Sequence, residues 1–338
     1  MPKPKHILVI RLSAMGDVAM TVPVLSALTE QYPDIKITVL TREFFAPFFR
    51  DLKNVNVFSA DVKNKHKGVS GLYKLSQELK KRDIDAVADL HNVLRSKILK
   101  FFLFRKELIQ INKGRAEKKA LVSGKEFKQL KTTVERYLDV FKHLGFPIDL
   151  SKSTFPEKKS LNSKTLEIVG TDSKKWIGIA PFAAFESKIY PLDLMEKVIK
   201  SLSKNYKILL FGGGKNEVEL LDRFQNKYEN TINLAGKLSL DIELDVISNL
   251  DAMLSMDSGN AHIGAMLGIK VLTIWGVTHP YAGFAPFNQP KDYCLLSDRE
   301  KFLDIPTSIY GNKYPENYKE ASRSISPEIV VEKIISII

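Results

Sequence analysis

The sequence predicts an α/β protein of two Rossmann-like domains facing each other across a cleft, and three observations predict it. Apolar runs alternate with helix-patterned stretches, the alternation restarts in the second half, and a polar, proline-marked stretch separates the two. At 338 residues the chain suits two cores of ordinary size better than one. Ligands in such folds sit at the carboxyl ends of parallel strands, so the interdomain gap is the expected site.

Each element has its own justification. The run His6-Ile7-Leu8-Val9-Ile10 is a strand, followed by a helix near Val18 to Gln31, the strand IKITVL (35–40), a helix near Leu72 to Lys81 and the strand IDAVADL (84–90). Pro147 and SKSTFPEKKSLNSK (151–164) read as connecting chain. The second unit runs through the strand WIGIAP (176–181), a helix over Pro191 to Lys204, YKILLFGGG (206–214), a helix over Glu217 to Tyr228, and TINLAG (231–236). It continues with LDAMLSM (250–256), a helix over Gly259 to Leu267, and IKVLTIWG (269–276). In SPEIVVEKIISII, Ser326 is a cap and Pro327 the first helical residue of a closing helix. The expected division is therefore 1–155, a linker at 156–170, 171–325, and a closing helix at 326–338.

Composition narrows the function classes. Apolar residues at 44% with charged residues at 27% describe a soluble globular chain rather than a disordered or fibrous one. MPKPK precedes an apolar stretch too short for a signal sequence, and no run approaches a bilayer span, so a cytoplasmic location is expected. The single cysteine, Cys294, fits a reducing compartment and a packing role. The net charge is +12, and Asp61 to Lys131 alone holds 19 Lys/Arg against 8 Asp/Glu. Such a region attracts polyanions, whether nucleic acid, an anionic membrane or a phosphorylated substrate, or simply solvates a surface. Within it, ILKFFLF (98–104), flanked by Arg95, Lys97, Arg105 and Lys106, suits a lipid–water boundary, but as an isolated pattern it favours a core helix.

Four segments carry candidate chemistry. In RLSAMGDVAMTVP (11–23), Asp17 follows a glycine at a helix start, where a carboxylate either caps the helix or handles a proton. SMDSGNAHIGAMLG (255–268) follows a strand and opens a helix at Ser258 and Gly259, offering amide N–H groups to a phosphate, with His262 one turn on. Asp257 repels an anion there unless it caps the helix or bonds a neighbour; capping plus a buried histidine explains the segment as well. FGGGKNE (211–217) lets backbone approach a ligand, with Glu217 placed to accept from ribose hydroxyls or simply solvated, yet it matches neither the dinucleotide fingerprint nor a P-loop. In APFAAFESKIYP (180–191), Lys188 sits between a strand and a helix, at the mouth of the expected cleft. No metal-ligand spacing, serine nucleophile elbow or HExxH motif is present.

Taken together, RLSAMGDVAMTVP, SKIYP and DSGNAHIGAMLGIKVLTIWGVTHP resemble the heptosyltransferases of glycosyltransferase family 9 in order and spacing across nearly the whole chain. The resemblance implies a glycosyltransferase B-type fold, an inverting and metal-independent transfer, and no cofactor beyond a nucleotide-sugar co-substrate, ADP-heptose. It implies that the second domain holds this donor and that the first binds an anionic lipopolysaccharide inner-core acceptor at the inner face of the cytoplasmic membrane. By position it makes Asp17 the catalytic carboxylate and puts Ser13 and Gly16 around the sugar. Lys188 falls on the diphosphate, Asp257, Ser258, Gly259, Asn260 and His262 on the diphosphate-binding turn, and Glu217 on a ribose-binding glutamate, with Gly212 and Gly213 of the preceding turn letting backbone approach the same donor. Arg95 and Ser96, in DLHNVLRS, fall near the acceptor. Ala14, Tyr190, Ala183 and Ala184 depart from the family pattern by replacing hydroxyl or tryptophan side chains. Two alternatives remain at this stage: another sugar-nucleotide enzyme of the same fold, a different transferase or an epimerase, and a nucleic-acid-binding protein. The latter explains the charge but not the strand-end Asp17, Lys188 and DSGNAH set.

Overall fold

The structure is a computed structural model describing residues 3–103 and 106–338; Met1, Pro2, Phe104 and Arg105, all within segments read above, lie outside the described residues. The chain divides into two compact units, residues 1–114 with 131–155, and residues 115–130 with 156–338.

The first unit contains β1 (His6–Ile10), α1 (Met15–Ala19), α2 (Thr21–Gln31), β2 (Lys36–Thr41), β3 (Val55–Ser59), α3 (Gly68–Lys80), β4 (Ala86–Asp89), α4 (Leu94–Phe102) and β5 (Glu107–Gln110). Next along the chain, α5 (Arg115–Val122) belongs to the second unit and α6 (Thr133–His143) to the first. The sheet order β3-β2-β1-β4-β5 is parallel throughout, with Val9 opposite Val39 on one side and Ala88 on the other. Ile7 to Ile10 are fully buried because helices cover both faces of a parallel sheet, which is why β1 reads as an unbroken apolar run. Leu72, Leu75 and Leu79 of α3 and Leu99 of α4 close one face over Leu8, Ile10 and Val87. Thr132 caps α6 with a reciprocal box: its hydroxyl accepts the Glu135 N–H, and Glu135 accepts the Thr132 N–H at 2.6 Å.

The second unit continues with α7 (Ser163–Val169), β6 (Trp176–Ala180), α8 (Leu192–Leu202), β7 (Lys207–Leu210), α9 (Lys215–Lys227), β8 (Thr231–Asn233) and α10 (Leu240–Ile247). It ends with β9 (Ala252–Met256), α11 (Gly259–Met266), β10 (Val271–Trp275), β11 (Cys294–Leu296) and α12 (Pro327–Ile337). Its parallel sheet has the order β11-β10-β9-β6-β7-β8. Ser326 caps α12, and Val330, Ile334 and Ile337 join Met195, Val198 and Ile199 of α8 in one core, so the closing helix finishes this unit's own layer.

The structure corrects several expectations. Residues 115–130 pack in the second unit, not the first. The Leu130 N–H donates to the Tyr281 carbonyl at 2.9 Å, the Arg299 guanidinium lies 3.5 Å from the Phe127 ring centre, and Phe127 meets His279 edge-on. The basic surplus of 61–131 is therefore divided between two units. The expected linker 156–170 contains α7, capped by Asn162. Within ILKFFLF, Leu99 and Leu103 are core while Phe101 faces outward. Cys294 is a free, half-buried cysteine whose thiol is pushed up by burial.

Candidate active site

In the first unit the site grows from the carboxyl ends of the adjacent strands β1 and β4, where the strand order reverses. Arg11, the first residue past β1, is buried; its guanidinium donates to the Leu90 carbonyl at 2.6 Å and pairs with the Asp17 carboxylate. Asp17 lies in the first turn of α1, and the same Oδ2 accepts the Ala14 N–H at 3.3 Å. The buried Tyr137 hydroxyl donates to the Asp17 carbonyl at 3.1 Å, and burial raises that phenol far above its ordinary range. Asp17 is thus both a cap and an ion-pair partner.

Ser13 Oγ lies 3.3 Å from His91 Nε2. Burial, followed by the charge of Arg11, depresses His91 to about 4, so this ring is neutral at physiological pH. Asp89, at the end of β4, accepts the His91 and Asn92 N–H groups at 2.9 Å each and Gln110 Nε2 at 2.6 Å, fixing the turn into α4. Arg95 is half-buried in the first turn of that helix. Ser96 is fully buried, and its hydroxyl exchanges 3.0 Å bonds with the Val93 N–H and carbonyl. Its position sets the helix start rather than offering a free hydroxyl. Gly16 is buried inside α1.

In the second unit the loops after β6, β9 and β10 converge. Lys188 Nζ lies 2.9 Å from Asp257 Oδ2, and Thr278 Oγ1 donates to the same oxygen at 2.8 Å. This answers the difficulty at Asp257, which bonds neighbours instead of capping α11. Ser258 occupies the N-cap position without a side-chain cap bond; its hydroxyl lies 3.1 Å from Ser255 Oγ. Gly259 and Asn260 therefore begin α11 with their N–H groups turned outward from the helix end, and His262 is buried one turn on.

Two glycines dictate where Lys188 sits. A Cβ on Gly276 would fall 2.0 Å from the Ser187 carbonyl oxygen, and one on Gly311, at φ +79°, would fall 2.6 Å from Lys188 Cγ. Ser187 Oγ donates to the Gly311 carbonyl at 2.6 Å, tying the two loops together. Tyr190, standing in the SKIYP motif, is fully buried, and its hydroxyl donates to the Ile325 carbonyl at 2.7 Å. After β7, the Gly213 N–H donates to Glu217 Oε2 at 2.7 Å, and a Cβ on Gly212 would come within 3.1 Å of that oxygen. Among the described residues no three His, Cys, Asp or Glu side chains gather in a group able to hold a metal ion.

The sequence profile of glycosyltransferase family 9 (heptosyltransferase) matches residues 72–305. The chain belongs to this family. It is a glycosyltransferase. It is similar to the lipopolysaccharide core heptosyltransferase OpsX of Haemophilus influenzae, at 24% identity over 98% of this chain and 95% of that protein. Its fold is shared with the family 9 glycosyltransferase of Veillonella parvula (TM-score 0.77, 22% identity, 98% and 97% of the two chains). It is likewise shared with the Escherichia coli heptosyltransferase WaaC with ADP-2-deoxy-2-fluoro heptose (TM-score 0.65, 19% identity, 98% and 99%).

The sequence reading of this family 9 enzyme missed Arg11, His91, Thr278, Gly276 and Gly311. Arg11 and His91 stand inside motifs already singled out, and each follows a strand end or its turn. Thr278 stands within VTHP, after a predicted strand. Gly311 carried no signal, because its use depends on a contact with a side chain more than a hundred residues away.

Proposed function

We propose that this family 9 enzyme transfers a heptose from ADP-heptose to a hydroxyl of an anionic, lipid-linked inner-core acceptor, with inversion and without a divalent cation. The observation that carries the reading is the Lys188–Asp257–Thr278 constellation beside the start of α11, a preformed receptor for an anion. The likeness to WaaC with its ADP-sugar supports the choice of donor.

The donor diphosphate rests against Lys188 Nζ and the Gly259 and Asn260 N–H groups, with His262 adding a donor. Glu217 gives Oε2 to the loop and Oε1 to the ribose. Ser13 and Gly16 border the sugar. Asp17, whose Oδ2 is taken by Arg11 and Ala14, receives the acceptor hydroxyl proton on Oδ1. The acceptor oxygen forms its bond to the anomeric carbon as the carbon–phosphate oxygen bond breaks on the opposite face. The departing electron pair stays on the diphosphate, where Lys188 and the helix start meet the growing charge. Arg95 meets anionic groups of the acceptor, and the enzyme works at the cytoplasmic face of the membrane holding it.

The test is Asp17→Asn. Thermal stabilisation by an ADP-sugar is retained while transfer falls roughly 10²- to 10⁴-fold; near-normal turnover refutes the base. Across ADP-, UDP-, GDP- and CMP-sugars, stabilisation by a nucleotide other than ADP overturns the donor, and loss of rate with a chelator overturns metal independence.

A further inference from the structure

The outer face of α3 and α4 is built unlike an ordinary solvated surface. Leu94 and Phe101 are 74% and 73% exposed, seven residues apart on α4 and so on one face of it. Val69 and Tyr73 on α3 are 60% and 53% exposed. Isolated exposed apolar side chains need no explanation, but these are joined. Phe102 meets Phe101 at 5.7 Å and Tyr73 at 5.4 Å between ring centres, bridging the two helices into one aromatic ridge. Lys97 and Lys100 flank Phe101 on α4, and exposed Lys74 follows Tyr73 on α3. The sequence of α4, LRSKILKFF, holds no acidic residue. No helix among the described residues is long and apolar enough to cross a membrane.

We propose that this ridge docks the enzyme on an anionic lipid bilayer, with Phe101, Leu94, Tyr73 and Val69 entering the headgroup–acyl boundary and the lysines pairing with lipid phosphates. Apolar side chains ringed by ammonium groups match that boundary in both polarity and charge, whereas a neutral bilayer leaves the lysines unmatched. The placement also serves the reaction, and here the inference rests on the acceptor proposed above. Arg95, assigned to the acceptor, and Phe101 lie six residues apart on α4, roughly 9 Å along its axis. A lipid-linked acceptor thus needs to lift its sugar only a short way out of the bilayer.

The experiment is vesicle flotation of the full chain at low and high salt, with phosphatidylglycerol–phosphatidylcholine and with pure phosphatidylcholine vesicles. It is run beside transfer assays on a deacylated, water-soluble acceptor and on a vesicle-embedded one. The wild type floats with the anionic vesicles at low salt and is released by salt. Phe101→Ser with Tyr73→Ser weakens flotation by about tenfold or more, and Lys97→Gln by about fivefold. The double variant keeps its rate on the soluble acceptor and loses rate on the embedded one. Variants that float like the wild type, or a wild type that ignores anionic vesicles at low salt, overturn the inference. So does sedimentation showing a dimer that Phe101→Ser dissolves, which would make the ridge an interface between copies. A chain that floats through this ridge but transfers nothing to the soluble acceptor upholds the docking surface and sinks the proposed reaction alone.

Discussion

Gly311→Ala tests whether the position of Lys188 governs donor use. Two costs follow from the geometry. At φ +79° an alanine pays about 1–2 kcal/mol for the left-handed backbone. Its Cβ would then lie 2.6 Å from Lys188 Cγ and 2.7 Å from Cδ, so the lysine stem must swing away and its 2.9 Å contact with Asp257 is lost. A charge-assisted hydrogen bond to the diphosphate is worth roughly 1.5–3 kcal/mol, which corresponds to roughly 10- to 150-fold in kcat/KM. Gly124→Ala supplies the control, since Gly124 has φ +70° with nothing within 4 Å of a built Cβ. Both variants lose the backbone term in urea titrations, Gly311→Ala loses more because the Lys188–Asp257 contact breaks, and only Gly311→Ala loses kcat/KM for the donor. If Gly311→Ala holds kcat/KM within about twofold of Gly124→Ala, the placement of Lys188 does not control donor use and the anion-site reading fails.

Thr278→Val removes the hydroxyl donated to Asp257; the buried carboxylate losing a partner costs ~1–3 kcal/mol. Thermal melts with and without ADP show a lower Tm and a smaller ligand shift, both restored by Thr278→Ser. His91, held near 4 in the fold against 6.5 unfolded, contributes stability that is full above about pH 6.5 and lost as the pH falls towards 4, by up to ~3 kcal/mol. His279, also near 4 through burial and then the Arg299 charge, supplies a similar amount, so His91→Gln removes about half of this part of the acid slope in denaturation profiles. Glu243, pushed up to about 7 by burial, acts in the opposite sense: its contribution is full below about pH 4.5 and lost as the pH rises through 7. Glu243→Gln is accordingly more stable than the wild type at pH 8 and not at pH 4, and an equal effect at both refutes a half-buried carboxyl that holds its proton.

What the sequence disclosed and what it hid follow the range of the interactions. Central strands such as β1, β9 and β10 are covered on both faces and read as apolar runs, so composition alone locates them. Edge strands β3 and β5 are partly exposed and polar, and their apolar signal fades into the neighbouring loops. The helix α5 carries four charged residues among RAEKKALV and buries only Leu121, so nothing local assigns it to the second unit; the Phe127 stack on Arg299 and the Leu130–Tyr281 bond do that. In the site, motif residues were visible because they sit at strand ends, while their supports arrive from distant loops. Gly311 and Lys188 are the clearest pair: the glycine exists to make room for a side chain that its own neighbourhood never mentions.

In the proposed reaction Asp17 and Lys188 pose one electrostatic problem, and each unit solves it internally. A carboxylate that must accept a proton and an ammonium that must meet a phosphate are both costly to hold half-buried without a counter-charge. Asp17 is held by buried Arg11, and Lys188 by Asp257 with Thr278. In both pairs the contacts fall on a single carboxylate oxygen or use one of three ammonium protons, so capacity remains for substrate. Under the proposed reaction Asp257 does not repel the diphosphate as an isolated carboxylate would, because its charge is balanced by Lys188, which has two ammonium protons still to give. Deleting Arg11 or Asp257 strands a charge in a poorly solvated place instead of freeing it, so these partners are as constrained chemically as the charges they hold.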